Sequence, residues 1–310
     1  MARFLVRRLL LTAFTLLLVS ALLFALLELF PGSVATKVLG PYSTAEQRAL
    51  WLEEHGYTRP LAVRYLAWLG SALRGDFGTS VRFAAPVGEV LWPRLGATAL
   101  LGAVTLAVLV PLALGLGVLA GMREGSALDQ AISAVCVLTT SVPEFASAVF
   151  LAALFVFGLG WLPGTSGMAG GFAWRELVLP VAVLVLYDFG YVARMTRAAM
   201  ADVMGRPYIR TAVLKGLSPA RVIVVHALRN ALIAPFTIVM LQVNWLLSGV
   251  IVVEFFFAYK GFGVLLLEAS LNQDLYLIEA CTLVAVLVAV TSQTLADLAY
   301  FWLNPRIRHG

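Results

Sequence analysis

Long apolar runs, each about as long as a bilayer is thick, recur along this chain. Residues 9–29 are almost wholly Leu, Ala, Phe and Val, with Glu28 near their end. Residues 97–120 carry no charge, and 131–157 are apolar apart from small hydroxyl side chains, Pro143 and Glu144. The run 177–192 is shorter and holds Asp188, while 231–253 and 280–303 complete the set. A helix needs roughly 20 apolar residues to cross a hydrocarbon core of about 30 Å. The pattern therefore predicts an all-α polytopic membrane protein with about six transmembrane helices.

Polar stretches punctuate these runs unevenly. The longest, 31–96, mixes Trp51, Trp68 and Trp92 with Glu53, Glu54, Arg59 and Arg64. Within it, 43–55 reads as a short helix opened by a capping box of Ser43 and Glu46. A second helix is predicted over 60–73, ending near Gly75. Tryptophan favours the headgroup region, so both are expected to lie along the membrane surface. Arg3, Arg7 and Arg8 ahead of the first run resemble a secretory signal, whose apolar region spans about 7–15 residues. This run is longer and reads as an uncleaved first helix, with cleavage near Ala35 as the alternative.

Basic residues orient the spans. With the N-terminus inside, the cytoplasmic segments hold Arg3, Arg7, Arg8, Arg123, Arg194, Arg197, Arg206, Arg210, Lys215, Arg221, Arg229, Arg306 and Arg308. The short outer loops hold only Arg175 and Lys260. Residues 31–96 carry seven basic residues and are placed outside, because segments of about 60 residues cross largely regardless of charge. Both termini are thus expected in the cytoplasm.

Composition narrows the class. The chain is 61% hydrophobic and 13% charged, whereas a soluble domain is about 25% charged. So few charges cannot cover a water-facing surface. The net charge of +5 is scattered among the spans without a concentrated patch, which favours anionic lipid over nucleic acid as a partner. Cys136 and Cys281 both lie in apolar runs, and His55, His226 and His309 do not cluster with acids or cysteines. Neither a disulfide framework nor a metal site is expected. Gly115-Leu-Gly117 sits inside an apolar run with no strand before it, so it is no dinucleotide fingerprint. Gly117-x-x-x-Gly121 instead suits close helix packing. No phosphate-binding Gly-x-x-x-x-Gly-Lys-Ser/Thr occurs, so any ATP that drives this protein belongs to another chain.

Two features carry candidate chemistry. The basic stretch 194–230 reads as helix, break, helix: Pro207 suits a first helical position, and Gly216 a left-handed stop after Lys215. Ser218 is placed as the next N-cap, with Pro219 opening the following helix. A short helix bearing Tyr208, Ile209 and Leu214 among basic residues suits either a partner groove or anionic lipid. The second feature is the pair of acids deep in apolar runs, Glu144 and Asp188. Intramembrane charges usually face a bundle interior or a water-filled pathway, and Pro143 frees backbone bonds beside Glu144. A cation or a peptide's terminal amine would suit such a site; an ion pair or hydrogen bond to a neighbouring helix is the alternative. Asn244 is a further candidate pathway-lining residue, although Gln242, Asn244 and Gln293 also suit interhelical hydrogen bonding.

Arg210-Thr-Ala-x-x-x-Gly216 followed by His226-Ala-Leu-Arg-Asn-Ala-Leu232 resembles the coupling motif of ABC importer permeases, in particular the dipeptide/oligopeptide/nickel group. Further matching signatures follow in order along the chain. They are Arg7-Arg8, Phe30-Pro-Gly32, Arg59-Pro-Leu61 with Tyr65, Arg74-Gly-Asp-Phe-Gly-Thr-Ser80, Ser141-x-Pro143-x-Phe145, Gly160-Trp-Leu-Pro163, and Val253-Glu-x-x-Phe257 with Gly261-x-Gly263. The resemblance implies a type I importer transmembrane domain that pairs with a homologous second permease. It also implies two ATPase subunits, which bind the ATP and magnesium, and an extracytoplasmic solute-binding protein. Residues 1–30 would then be the cytoplasmic N-terminus and first helix, and 31–96 an extracytoplasmic insertion. Residues 97–303 would be the core permease domain with coupling segment 200–229, and 304–310 a cytoplasmic tail. Arg210, Thr211, Ala212, Lys215, Gly216, Leu217, Ser218 and Arg221 would couple to the ATPases. The general motif opens Glu-Ala-Ala, so the role of its glutamate does not transfer to Arg210. Pro235 also stands one residue later than in many relatives, which leaves the start of the fifth span open. Two other classes compete. One is a self-contained secondary transporter or channel using Glu144 and Asp188. The other is an intramembrane enzyme, for which no nucleophile–base or metal-ligand set is found.

Overall fold

A computed structural model describes residues 2–28, 35–36, 38–54, 56–168, 170–247 and 250–303. Phe30, Gly32, His55, Arg306, Arg308, His309 and the whole of 304–310 lie outside the described residues. The chain divides into two compact units, Met1–Ala97 with Gly261–Val290, and Thr98–Lys260 with Thr291–Gly310. Four helices are long and apolar enough to cross a membrane, or up to six if each of two bent pairs counts as one span.

The first unit opens with α1 (Ala2–Glu28). Phe24 packs edge-on against Tyr65, with ring centroids 5.6 Å apart. The Tyr65 and Ser20 hydroxyls share a hydrogen bond of 2.8 Å. Helices α2 (Ala45–Glu54) and α3 (Leu61–Ala72) form in the predicted insertion. The capping box of α2 sits one residue later than expected. The Gln47 N–H donates to the Thr44 hydroxyl at 3.2 Å, and the Thr44 N–H donates to Gln47 Oε1 at 2.9 Å. Ser43 instead donates back to the Gly40 carbonyl at 2.8 Å.

The segment Arg74–Ser80 becomes a turn into a short hairpin, β1 (Thr79–Ser80) against β2 (Ala85–Pro86). Gly75 and Gly78 take positive φ of 83° and 82°. At Gly78 a Cβ would also meet the Tyr276 ring at 3.1 Å, so the chain requires glycine there on two counts. The hairpin is tied down by the buried Asp274, whose Oδ2 accepts from the Ser80 hydroxyl at 2.5 Å and from the Arg82 N–H at 3.0 Å. Phe77, Val87, Leu91, Phe262, Leu265 and Leu277 form the core of this unit.

Helix α4 (Val87–Met122) belongs to the first unit up to Ala97 and to the second from Thr98. The predicted span 131–157 is not one straight helix. It is α5 (Ala127–Ser141) and α6 (Glu144–Gly158), bent by 99°. Val142 precedes a proline and is driven extended, at φ −93° and ψ 124°. Helix α7 (Trp174–Met204) is much longer than the predicted 177–192, so Arg194 and Arg197 lie on it rather than in a loop. Then come α8 (Pro207–Leu214) and α9 (Pro219–Ala231), the latter π-wound over Val222–Ala227. Helix α10 (Ile233–Leu247) follows α9 at a bend of 53°. Pro235 lacks the N–H that would have reached back to Ala231, which accounts for the break. The predicted run 231–253 is thus divided, since α11 (Ile251–Phe256) is a separate short helix. Helices α12 (Phe262–Leu271) and α13 (Leu275–Leu303) complete the chain. Gln293, expected to bond between helices, donates to Asp297 one turn along α13 at 3.1 Å.

Glycines set the packing of the second unit on α7. A Cβ on Gly117 would lie 2.5 Å from Thr196 Cβ, and one on Gly121 would lie 2.5 Å from the Arg197 carbonyl. The expected close approach at Gly117-x-x-x-Gly121 is therefore present, against α7. Gly190 makes a still closer approach to the Cys136 carbonyl of α5.

Candidate functional site

The coupling stretch folds as its punctuation predicts. Arg206 is extended ahead of Pro207, which opens α8 where a missing N–H leaves nothing unsatisfied. At the far end Gly216 takes φ +74°. Its N–H donates to the Val213 carbonyl at 2.9 Å, and the Leu217 N–H reaches the Ala212 carbonyl at 3.4 Å. These two bonds make a Schellman stop. Ser218 holds the N-cap position of α9, extended at φ −61° and ψ 146°, but its hydroxyl makes no capping bond.

Two faces result. Ile209 and Ala212 turn inward and pack with Met200, Val203, Val222 and Ala227, and Leu217 packs partly buried against them. Arg210, Thr211, Val213, Leu214, Lys215, Ser218 and Arg221 are exposed. The expected docking trio is thereby corrected. Ile209 anchors the helix, and Val213 joins Tyr208 and Leu214 on the outer face, Leu214 being 78% exposed. Asn230 steadies α8 on α9 by donating to the Tyr208 hydroxyl at 3.2 Å. This exposed face is apolar at Val213 and Leu214 and basic at Arg210 and Lys215.

A second arrangement lies between α7 and α10. Thr140, Tyr187, Asp188, Tyr191, Gln242 and Trp245 line a cavity of about 310 Å³. Asp188 is 2% exposed. Its Oδ1 accepts from Gln242 Nε2 at 2.5 Å, while Oδ2 has no hydrogen-bond donor among the described residues. The Tyr187 and Trp245 rings stack with centroids 5.4 Å apart and planes 24° from parallel. Glu144 sits half-buried in the first turn of α6, its Oε1 also without a donor among the described residues. It lies within electrostatic reach of Asp188.

Of the three pathway candidates, Asp188 lines this cavity, Glu144 stands near it, and Asn244 is half-buried on α10 without lining it. Gln242, on the same helix, takes the place expected of Asn244. The aromatic residues escaped sequence reasoning although a signal was present. Asp188-x-x-Tyr191 and Gln242-x-x-Trp245 each put a polar and an aromatic side chain on one helix face.

Four helices, or up to six spans, long and apolar enough to cross a bilayer define the chain as a helical polytopic membrane protein. A family model for the binding-protein-dependent transport system inner membrane component matches residues 113–309, and the N-terminal model of the same system matches residues 1–102. Among relatives, a probable peptide ABC transporter permease protein of Sinorhizobium fredii is 34% identical, with both chains fully covered. An oligopeptide transport system permease protein of Bacillus subtilis is 33% identical, again over 100% of each chain. A glutathione transport system permease protein of Salmonella choleraesuis is also 33% identical over 100% of each. The chain belongs to the binding-protein-dependent transport system inner membrane component family.

It is accordingly a multi-pass inner membrane protein with the type I fold, the permease subunit of an ABC importer. It is not an enzyme, since ATP is hydrolysed on separate subunits. Members of this family work in general with ATPase, binding and second permease partners. The self-contained transporter weighed from sequence receives no support from these matches.

Proposed function

We propose that this chain forms half of the translocation pathway of a di- or oligopeptide importer. The other half is a homologous second permease, two ATPase subunits bind the ATP and magnesium, and an extracytoplasmic solute-binding protein delivers the peptide. Both termini lie in the cytoplasm, membrane lipid surrounds the spans, and the chain needs no cofactor of its own. Peptide is preferred as cargo because relatives matched along their whole length carry that word in their names.

The single observation that carries this reading is the outer face of α8. Exposed Val213 and Leu214 lie between Arg210 and Lys215, on a helix that Ile209 and Ala212 anchor to α9. A rigidly seated helix can pass a push from an ATPase to the spans on either side of it. Alternating access then follows from closure of the ATPases on ATP. Thr211, Leu217, Ser218 and Arg221 flank this face and complete the proposed coupling surface. Glu144, Asp188 and Asn244 are proposed to border the pathway.

The test is to place a cysteine at Lys215 in the assembled complex and cross-link it. Both native thiols, Cys136 and Cys281, are buried and give little background. A cross-link to the ATPase subunit, together with labelling of Lys215→Cys only from the cytoplasmic side, is the expected result. Labelling from the outer side would end the coupling assignment.

A further inference from the structure

We propose that the cavity between α7 and α10 is a subsite for an alkylammonium group. It rests on the peptide-importer reading for its natural ligand, the free amino terminus of a peptide. Three features of the cavity favour a cation. The first is Asp188, 2% exposed and bordering the cavity with an oxygen that no donor satisfies among the described residues. An ionised carboxylate in that state is costly until a positive group completes its shell. Gln242 satisfies only the other oxygen, and Glu144 adds a second negative group within electrostatic reach.

The second feature is the aromatic wall. Tyr187 and Trp245 stack beside Asp188, and Tyr191 lies one helical turn from Tyr187. Ring faces carry negative electrostatic potential and attract ammonium groups, Trp most strongly. The third feature is what the wall does not contain: among the described residues, no Arg or Lys lines the cavity. Thr140 already donates its hydroxyl hydrogen to the Cys136 carbonyl at 2.9 Å, so toward a ligand it offers lone pairs. An ammonium with three N–H donors therefore meets acceptors and ring faces, whereas a carboxylate would meet repulsion.

Size and donor chemistry set the class of cation. The volume of about 310 Å³ stands at the small end of ligand pockets, which run from roughly 300 to 1,000 Å³. It fits a head group and its first side chain rather than a whole peptide. The stacked Tyr187 and Trp245 rings favour an organic ammonium over a hard metal ion, which binds through oxygen ligands alone.

The experiment uses the assembled complex in nanodiscs. Tryptophan fluorescence is followed while n-butylammonium, n-butanol or sodium chloride is added, with Trp245→Phe to isolate the local signal. The expected result is a saturable change with n-butylammonium alone. Asp188→Asn should weaken it about tenfold or more, the loss of one desolvated charge interaction, and Asp188→Glu should retain most of it. An equal response to n-butanol, a response to sodium, no saturable change, or unchanged binding in Asp188→Asn would overturn the subsite. ATP-driven uptake of labelled trialanine is measured in parallel. A complex that binds n-butylammonium in this way yet takes up no peptide would end the peptide reading and leave the subsite standing.

Discussion

Asp129 packs against α7 and Asp188 belongs to it, yet their surroundings differ in kind. Asp129 is closed. Its Oδ1 accepts from Arg197 Nε at 2.8 Å and from the Ser133 hydroxyl at 3.4 Å. Its Oδ2 accepts from Arg197 Nη2 at 2.7 Å and from the Gly125 N–H at 2.9 Å. The fork of the guanidinium matches the carboxylate, and Glu124 stands 3.6 Å from the same Arg197. Asp188, on the same helix as Arg197, has one donor for two oxygens among the described residues. A carboxylate whose partners are all present fixes one helix to another. A carboxylate that still lacks a partner in an otherwise packed protein marks a place that something else fills. Charge type alone does not distinguish the two residues; the count of donors does.

The largest test of this contrast is to open the closed site. Arg197→Met strands the Asp129 carboxylate against α7, and removing one member of such a pair is far more damaging than removing both. The expected outcome is a fall in thermal midpoint, read in detergent, deeper than that caused by either Gly190→Val or Gly216→Val. The double variant Arg197→Met with Asp129→Leu should recover much of it. A midpoint equal to the parent in the single variant would break the comparison, because Asp129 would then hold nothing together. Next in size is Gly190→Val, which drives a β-branched side chain into the Cys136 carbonyl and the Thr139 and Thr140 side chains of α5. Overpacking of this sort costs about 1–3 kcal/mol. Because α7 carries Asp188, the variant should also shift Asp188 and blunt n-butylammonium binding. Parental stability would show that α5 can move aside.

Much of this was legible in the sequence, for reasons that differ by region. Hydrophobic length placed the spans, and the order of Pro207, Gly216, Ser218 and Pro219 placed the coupling turn, because proline and glycine act on the local backbone wherever they stand. Pro143 announced a break but not an angle of 99°, which packing on α7 decides. Which face of α8 is buried could not be read. Tyr208, Ile209 and Leu214 look alike by composition, and only the seating of α8 on Val222 and Ala227 separates Ile209 from the rest. The Asp129–Arg197 and Asp188–Gln242 pairs are 68 and 54 residues apart in sequence, and no local pattern links such partners. The π-wound stretch Val222–Ala227 left no compositional mark.

Gly216 offers a smaller effect with a sharper meaning. A Cβ there would meet nothing within 4 Å, so Gly216→Val acts through backbone conformation alone. Forcing a β-branched residue to φ +74° costs on the order of 1–2 kcal/mol. Helix α8 should fray at its last turn while the protein still inserts and folds. ATP hydrolysis stimulated by loaded binding protein should fall several-fold in the reconstituted complex. Parental stimulation and uptake would remove Gly216 from the coupling machinery and leave it as a helix stop.

The smallest expected change in stability is at the open site, and its sign is what matters. Asp188→Asn keeps the shape and keeps an oxygen for Gln242 to donate to. It discards a buried charge whose second oxygen has no donor among the described residues. Replacing a half-satisfied charged group by a neutral one of the same form is close to neutral or stabilising. The thermal midpoint should therefore equal or exceed that of the parent, while uptake of a free-amine peptide falls. Arg197→Met is expected to do the reverse in kind, losing stability first and transport only in consequence. If Asp188→Asn instead melts early, the carboxylate is a strut like Asp129, its missing donor comes from within the assembled transporter, and the distinction between closed and open sites on α7 disappears.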